Sequence, residues 1–198
     1  MANLNRVNLV DDNDQIVATA DKFKAHLGEG LLHQAISLFL FKKNEAGDYE
    51  LLCQKRSFQK IVGAGQWANT LCGNVAMEEN HLACVKRRLK DELGLVLTPA
   101  LFDRIEEVTV FKYFAPCNEK YSEREVDHLF VLLLEKSDLL ELNLSLNLDE
   151  VSDVDWFNWQ ELLKNKNFKN KEIAPWFKLF LDEVKIIKQI NQFLKNER

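Results

Sequence analysis

The spacing of hydrophobic positions changes several times along the chain. RVNLV (residues 6–10) and QIVATA (15–20) flank the turn-rich stretch DDND, which predicts an opening hairpin. AISLFLFKK (35–43) and ELLCQKR (50–56) are short apolar and aromatic runs on either side of NEAGD, and predict two further strands. A polar, glycine-bearing loop, FQKIVGAGQW (58–67), follows. From Glu79 the period becomes helical: Leu82, Val85, Leu89 and Leu93 recur at helical spacing, and Gly94 supplies a stop. RIEEVTVFKYF (104–114) and EVDHLFVLLLE (125–135) predict strands again. WFNWQELLK (156–164) and APWFKLFLDEVKIIKQINQFLK (174–195) predict closing helices, the second opened by Pro175 in its first turn. Strands alternating with helices predict an α/β layered domain. No repeat, low-complexity tract or Gly/Ser linker divides the chain, so residues 1–198 are expected to form one domain.

Composition agrees with that picture and narrows the partners. The 198 residues, 46% hydrophobic and 29% charged, suffice for one sizeable core. A net charge of −5 argues against a general nucleic-acid binder. No apolar run approaches the ~18 residues of a membrane span, and MANLNRVNLVDDND lacks the layout of a secretory signal. Cys53, Cys72, Cys84 and Cys117 form no CxxC pair, which points to free thiols in a reducing cytoplasm. The expected partner is a small molecule, with no nucleic acid, membrane or partner protein called for.

Three constellations can carry chemistry. Arg88 and Glu92 are four apart and share a helix face, where a carboxylate can hold a divalent cation and a guanidinium can grip phosphate oxygens. An ordinary surface ion pair is the alternative for that pair taken alone. His26 and His33 precede the first long strand, and Glu123 and Glu125 lie two apart at a strand start, where both project to one side. Together they would make a mixed N/O site suited to Mn²⁺, Mg²⁺ or Zn²⁺. His81 and His128 read as ordinary structural or surface residues. Cys72 enters a loop beside cationic and metal-binding groups, unlike the other three cysteines, which read as small buried hydrophobes. A thiol facing a carboxylate forms a proton donor and acceptor pair, and Cys72 with Glu125 is the candidate.

The spacing from Gly73 to Leu95 resembles the Nudix box: Gly73, five residues, Glu79, seven residues, Arg87, then Leu89, Glu92, Gly94 and Leu95. Arg88 stands where a Nudix hydrolase has a glutamate, and the first of the paired acids near the end of the box is Asp91. Reversing a charge inside the metal-binding acid cluster disfavours hydrolysis. HLGEGLLHQA, QWANTLCGN, RRLKDELG, FKYF and SEREVD together resemble the type I isopentenyl-diphosphate isomerases, a Nudix-fold family, in order and spacing from about Val7 to Trp176.

That resemblance implies a single Nudix-type α/β domain, a mixed β-sheet sandwiched between helices, with the box at about 73–95 and C-terminal helices at about 159–195. It implies Cys72, Glu125 and Tyr113 as the catalytic group, with Glu125 and Tyr113 delivering a proton on one face and Cys72 acting as thiolate on the other. It carries metal ligation to His26, His33, Glu123 and Glu125, and a second Mg²⁺, brought in with the diphosphate, to Glu92. Lys22, Arg56, Lys60 and Arg88 match positions that bind diphosphate, and Trp176 matches an aromatic over the hydrocarbon; Trp67 is expected as a pocket wall. Asn74 takes the place of a metal-binding histidine of the family; its amide oxygen can serve a hard cation but is a weaker donor than imidazole for Zn²⁺ or Mn²⁺. Two other readings compete. One is a Nudix hydrolase of a nucleotide or prenyl diphosphate, disfavoured by Arg88; the other is a diphosphate-binding homologue without turnover, motivated by Asn74.

Overall fold

The computed structural model describes residues 3–165 and 172–196. The chain opens with β1 (Asn3–Val10), β2 (Ile16–Asp21), α1 (Lys22–His26), β3 (His33–Lys43) and β4 (Tyr49–Arg56). Three short strands follow, β5 (Trp67–Ala68), β6 (Leu71–Asn74) and β7 (Ala76–Met77), and then α2 (His81–Leu93) and α3 (Pro99–Phe102). The second half holds β8 (Glu106–Pro116), β9 (Ser122–Leu134), α4 (Lys136–Glu141), β10 (Val151–Asn158), α5 (Trp159–Asn165), α6 (Pro175–Asp182) and α7 (Val184–Asn196).

β3 is the centre of a mixed sheet. It runs parallel to β9 from His33↔Glu125 to Lys42↔Leu134, and antiparallel to β6 from Ala35↔Asn74 to Leu38↔Leu71. β9 pairs antiparallel with β8, β1 with β2, and β4 with β10. Side chains alternate faces along a strand, so β3 feeds two cores. Ile36, Leu38 and Leu40 join Val85, Leu89 and Leu93 of α2 on one face. Phe39 and Phe41 join Trp159, Phe177, Phe180 and Ile190 of α5–α7 on the other. The sheet lies between helices, as the Nudix resemblance implies.

The hairpin, the strands around NEAGD and the box helix form where the pattern places them. Asn80 caps α2 by accepting from the Ala83 N–H, and Gly94 ends it at φ +64, a left-handed cap that suits glycine. Leu82 is 40% exposed and does not belong to the buried stripe, which takes in Arg88 and Glu92 instead. Two boundaries differ from expectation. Trp156–Asn158 is the end of β10, and the helix begins only at Trp159. The last helix breaks at Glu183 into α6 and α7, so that each lays its own apolar face on the sheet. Of the stretch expected to carry the C-terminal helices, residues 166–171 lie outside the described residues, as do 1–2 and 197–198 of the expected single domain.

Candidate functional site

Strand register assembles the site. On one face of the sheet Cys72 lies opposite Ser37, Asn74 opposite Ala35, Asp127 opposite Ala35 on its other side, and Glu125 between His33 and Tyr113. Sequence reasoning put Cys72 in a loop; it sits on β6, which holds it more rigidly than a loop would.

His26 and His33 present their Nε2 atoms to one point. Nδ1 of His26 lies 2.6 Å from the Lys22 carbonyl oxygen, and Nδ1 of His33 lies 2.7 Å from that of Leu31. A carbonyl only accepts, so each Nδ1 carries the hydrogen and each Nε2 offers a lone pair. His26 Nε2 stands 2.9 Å from a Glu123 oxygen, and His33 Nε2 stands 3.4 Å from a Glu125 oxygen. The donor atoms of all four residues lie within 4.8 Å of one another, and all four residues are buried. Lone pairs facing carboxylate oxygens in a buried cluster fit a divalent cation, with the backbone carbonyls as outer partners that fix the rings. Asn74 completes the circle: its Nδ2 lies 3.1 Å from His26 Nε2 and 2.8 Å from His33 Nε2. In that orientation the amide donates to both lone pairs, whereas a half-turn about its last side-chain bond would present the oxygen to an ion.

Glu123 and Glu125 divide their charge unequally. Burial raises both, but where His26 carries a second proton its hydrogen bond and charge outweigh burial at Glu123 and draw that carboxyl down to about 2, the place a bound cation would otherwise take. Burial and the charge of Glu123 push Glu125 well above the usual carboxylate range, against the hydrogen bond from Tyr113, 2.5 Å from Oε2. Cys72 Sγ accepts from Trp176 Nε1 at 3.2 Å and donates to Asn69 Oδ1 at 3.0 Å. Burial, followed by the neighbouring Asp127, pushes its thiol up to about 12. The thiolate expected from sequence is therefore not the form this environment favours. Ser37 Oγ stands between, 3.6 Å from Cys72 Sγ and 2.8 Å from the buried Asp127 carboxyl.

Cys72, Tyr113, Glu123, Glu125, His26 and Trp176 line a cavity of about 250 Å³, and Lys22, Arg56, Lys60 and Arg88 line the same cavity. Four cations around one small space suit a polyanion. They repel one another when it is absent: burial, then Arg88 and Lys60, lower Lys22 to about 8. Glu150 offsets part of that charge, 2.5 Å from Lys60 and 3.3 Å from Arg88, and despite its burial the Arg88 guanidinium holds its carboxyl at about 2. Arg56 is fixed by a bond from Nε to the Val62 carbonyl and lies 5.0 Å from the Trp176 ring centroid. Gly73 is required by close approach: a Cβ there would stand 2.9 Å from Arg88 Nε.

Not every expected residue reaches the cavity. Glu92 is 1% exposed, lies behind Arg88 in an ion pair with it, and is absent from the cavity lining. Trp67 packs edge-on against Phe157 in the core rather than forming a pocket wall. His33 is fully buried beneath the cavity and does not line it, though its donor atom belongs to the His/Glu cluster. Sequence reasoning missed Glu150, which no spacing marks. It also missed Ser37 and Asp127, although each is a polar residue inside an apolar strand, AISLFLF and EVDHLFV. The box itself is tied by Arg87, whose guanidinium binds both oxygens of Glu79 at 2.7 and 2.8 Å.

The NUDIX domain pattern matches residues 31–177. The crystal structure of the Deinococcus radiodurans protein DR0079 shares the fold, with a TM-score of 0.66 at 17% identity over 89% of this chain and 97% of that one. "Isopentenyl-diphosphate Delta-isomerase I" of Clarkia breweri is 33% identical over 88% of this chain and 64% of its own length. The protein of the same name from Camptotheca acuminata is 32% identical over 88% of this chain and 78% of its own length. The chain belongs to the NUDIX family, and within it to the isopentenyl-diphosphate Delta-isomerases. It spans a little under two thirds of the length of the Clarkia protein. Among the described residues no helix is long and apolar enough to cross a membrane.

Proposed function

We propose that the chain interconverts isopentenyl diphosphate and dimethylallyl diphosphate, in a reducing cytoplasm, with the cationic wall holding the diphosphate. The observation that carries this reading is the single cavity that Cys72 and Glu125 line together with Lys22, Arg56, Lys60 and Arg88. In the forward direction a proton is added to the terminal alkene carbon. The electron pair of the double bond forms the new C–H bond and leaves a tertiary cation. Loss of a proton from the carbon on the diphosphate side restores the double bond one position along. Cys72 and Glu125 form the donor and acceptor pair, exchanging roles in the return direction, and Tyr113 orients Glu125. Trp176 offers a π face to the cation, and the buried walls exclude the water that would trap it. His26, His33, Glu123 and Glu125, with Asn74, would hold a divalent ion, Mg²⁺, Mn²⁺ or Zn²⁺, whose charge favours the ionised form of Glu125. Glu92 would serve a second Mg²⁺ arriving with the diphosphate once Arg88 turns toward the phosphates. Deuterium uptake from D₂O into isopentenyl diphosphate tests the proposal, since proton transfer labels the carbon skeleton; release of phosphate or pyrophosphate without label would overturn it in favour of a hydrolase.

Two further results are expected. Lys22 is charged below about 8 and neutral above it. Raising the pH from 7 to 9.5 should therefore raise KM for the diphosphate substrate through that region, and Lys22→Arg, which stays charged, should flatten the rise. An unchanged slope in Lys22→Arg would remove Lys22 from the diphosphate site. Asn74→His should bring a third imidazole to the cluster, tighten Zn²⁺ or Mn²⁺ binding on the order of tenfold or more, and raise turnover at low metal. Calorimetry of both forms checks it; equal affinities would show that residue 74 does not face the ion.

A further inference from the structure

On the face of β9 turned away from the cavity, three more ligand-type side chains meet. Asp14 from the β1–β2 loop, His81 at the start of α2 and His128 of β9 each present a donor atom, all within 4.8 Å of one another. The sheet separates them from the cavity: side chains alternate along β9, so Glu125 and Asp127 turn one way and His128 the other.

Each of the three is held in place. His128 Nδ1 lies 3.0 Å from Glu107 Oε1, and His128 Nε2 lies 2.8 Å from Asp14 Oδ2. Asp14 Oδ1 accepts from Gln34 Nε2 at 3.0 Å, which turns Oδ2 toward the histidine. Asp14 has φ +60, uncommon for a residue other than glycine. The loop enforces it, with Asp11 accepting the backbone N–H groups of Asn13 and Gln15. The rings of His81 and His128 stack at 3.6 Å between centroids and 20° between planes.

This arrangement asks for a cation. With the Nδ1 hydrogen of His128 given to Glu107, Nε2 points a lone pair at a carboxylate, and the two repel unless positive charge stands between them. A proton would supply it by making His128 an imidazolium stacked on a second imidazole. A metal ion supplies it while using the lone pair of His81 as well. In the stacked arrangement the in-plane lone pairs of the two rings run nearly parallel, so joint ligation requires the His81 ring to turn toward His128 Nε2 and Asp14, whose donor atoms lie within 4.8 Å of its own. A carboxylate on the outer nitrogen is the usual partner of a metal-bound histidine.

We propose that Asp14, His81 and His128 form a second metal site, distinct from the cavity cluster, with Glu107 orienting His128. Two imidazoles and one carboxylate favour a borderline ion such as Zn²⁺ or Co²⁺ over Mg²⁺, and leave one position for water. An ion there joins the β1–β2 loop, the start of the box helix and β9, segments far apart in sequence.

The test is zinc uptake by the metal-stripped full chain, measured by equilibrium dialysis at pH 7.5 beside thermal unfolding with and without Zn²⁺. Two zinc ions per chain are expected, falling to one in His81→Gln and in Asp14→Asn. Glu107→Gln, which touches no ion and alters a side chain 41% exposed, should weaken one of the two sites on the order of 10- to 100-fold. A His26→Gln chain, its cavity cluster impaired, should still show a zinc-dependent rise in unfolding midpoint, and adding His81→Gln should abolish it. Wild-type stoichiometry in His81→Gln would overturn the proposal. So would unaltered zinc affinities in Glu107→Gln, a result that stands even where a ligand variant fails to fold.

Discussion

Cys72→Ala and Glu125→Gln are each expected to lower isomerisation on the order of 10²- to 10⁴-fold, the range set by loss of a positioned proton donor or acceptor. Binding of the diphosphate should survive in both. On the proposed reading its contacts come from Lys22, Arg56, Lys60 and Arg88, which line the same cavity. Cys72→Ala also strips the Trp176 indole N–H of its acceptor. That costs about 1–3 kcal/mol of stability, so the comparison belongs at a temperature well below unfolding. The double variant should be little worse than either single one, because two groups that move one proton in and one out act as a unit. Turnover numbers under saturating substrate, with affinities from calorimetry, decide it. Near-normal turnover in Cys72→Ala would remove the thiol from the reaction, and additive losses in the double variant would separate the two roles.

The elements that sequence made legible are those whose period is long and whose ends carry a marker. The box helix shows both: apolar positions at helical spacing, Asn80 at its start and Gly94 at its end. β10 shows neither clearly. Its alternation of exposed Asp153 and Asp155 with half-buried Val154 and Trp156 runs straight into the tryptophan that opens α5. WFNWQELLK therefore reads as one helix. The break at Glu183 has no glycine or proline to announce it; it exists because α6 and α7 must each meet the same sheet. The grouping of His26, His33, Glu123 and Glu125, and the pairing of Cys72 with Glu125, were legible from residue chemistry, but the strand pairing that brings them together was not. His33 and Glu125 become neighbours through the parallel pairing of β3 with β9, a contact between strands about ninety positions apart. The helical spacing put Arg88 and Glu92 on one face correctly. Whether the carboxylate would meet an ion or the arginine was a matter of packing, and in the structure it meets the arginine.

That packing makes Arg88→Glu the second large effect. Arg88 is 9% exposed, and its guanidinium is shared between Glu92 beneath it and Glu150 at the cavity. Burial alone would disfavour its charge; the two carboxylates more than reverse this and keep it protonated. The substitution would gather three carboxylates where one cation had served two, and breaking a buried pair from one side costs about 3–5 kcal/mol of stability. For substrate the change is from attraction to repulsion, and a lost partner for a buried charge weakens binding by about 2–5 kcal/mol, on the order of 30- to 5,000-fold. Stability and binding are separable by Arg88→Lys, which keeps the charge and loses the planar guanidinium that Glu92 and Glu150 share. It should recover most of the fold and part of the affinity. The acid cluster of a Nudix hydrolase would be formally restored in Arg88→Glu, yet no gain in phosphate release is expected. The cavity would still present Cys72, Tyr113 and Trp176 where hydrolysis needs room for a positioned water. Calorimetric affinity and phosphate release, measured on Arg88→Glu and Arg88→Lys at matched folded fraction, test both halves. Tight diphosphate binding retained in Arg88→Glu would show that the helix face does not hold the substrate, and brisk hydrolysis would show that charge at this one position separates the two chemistries.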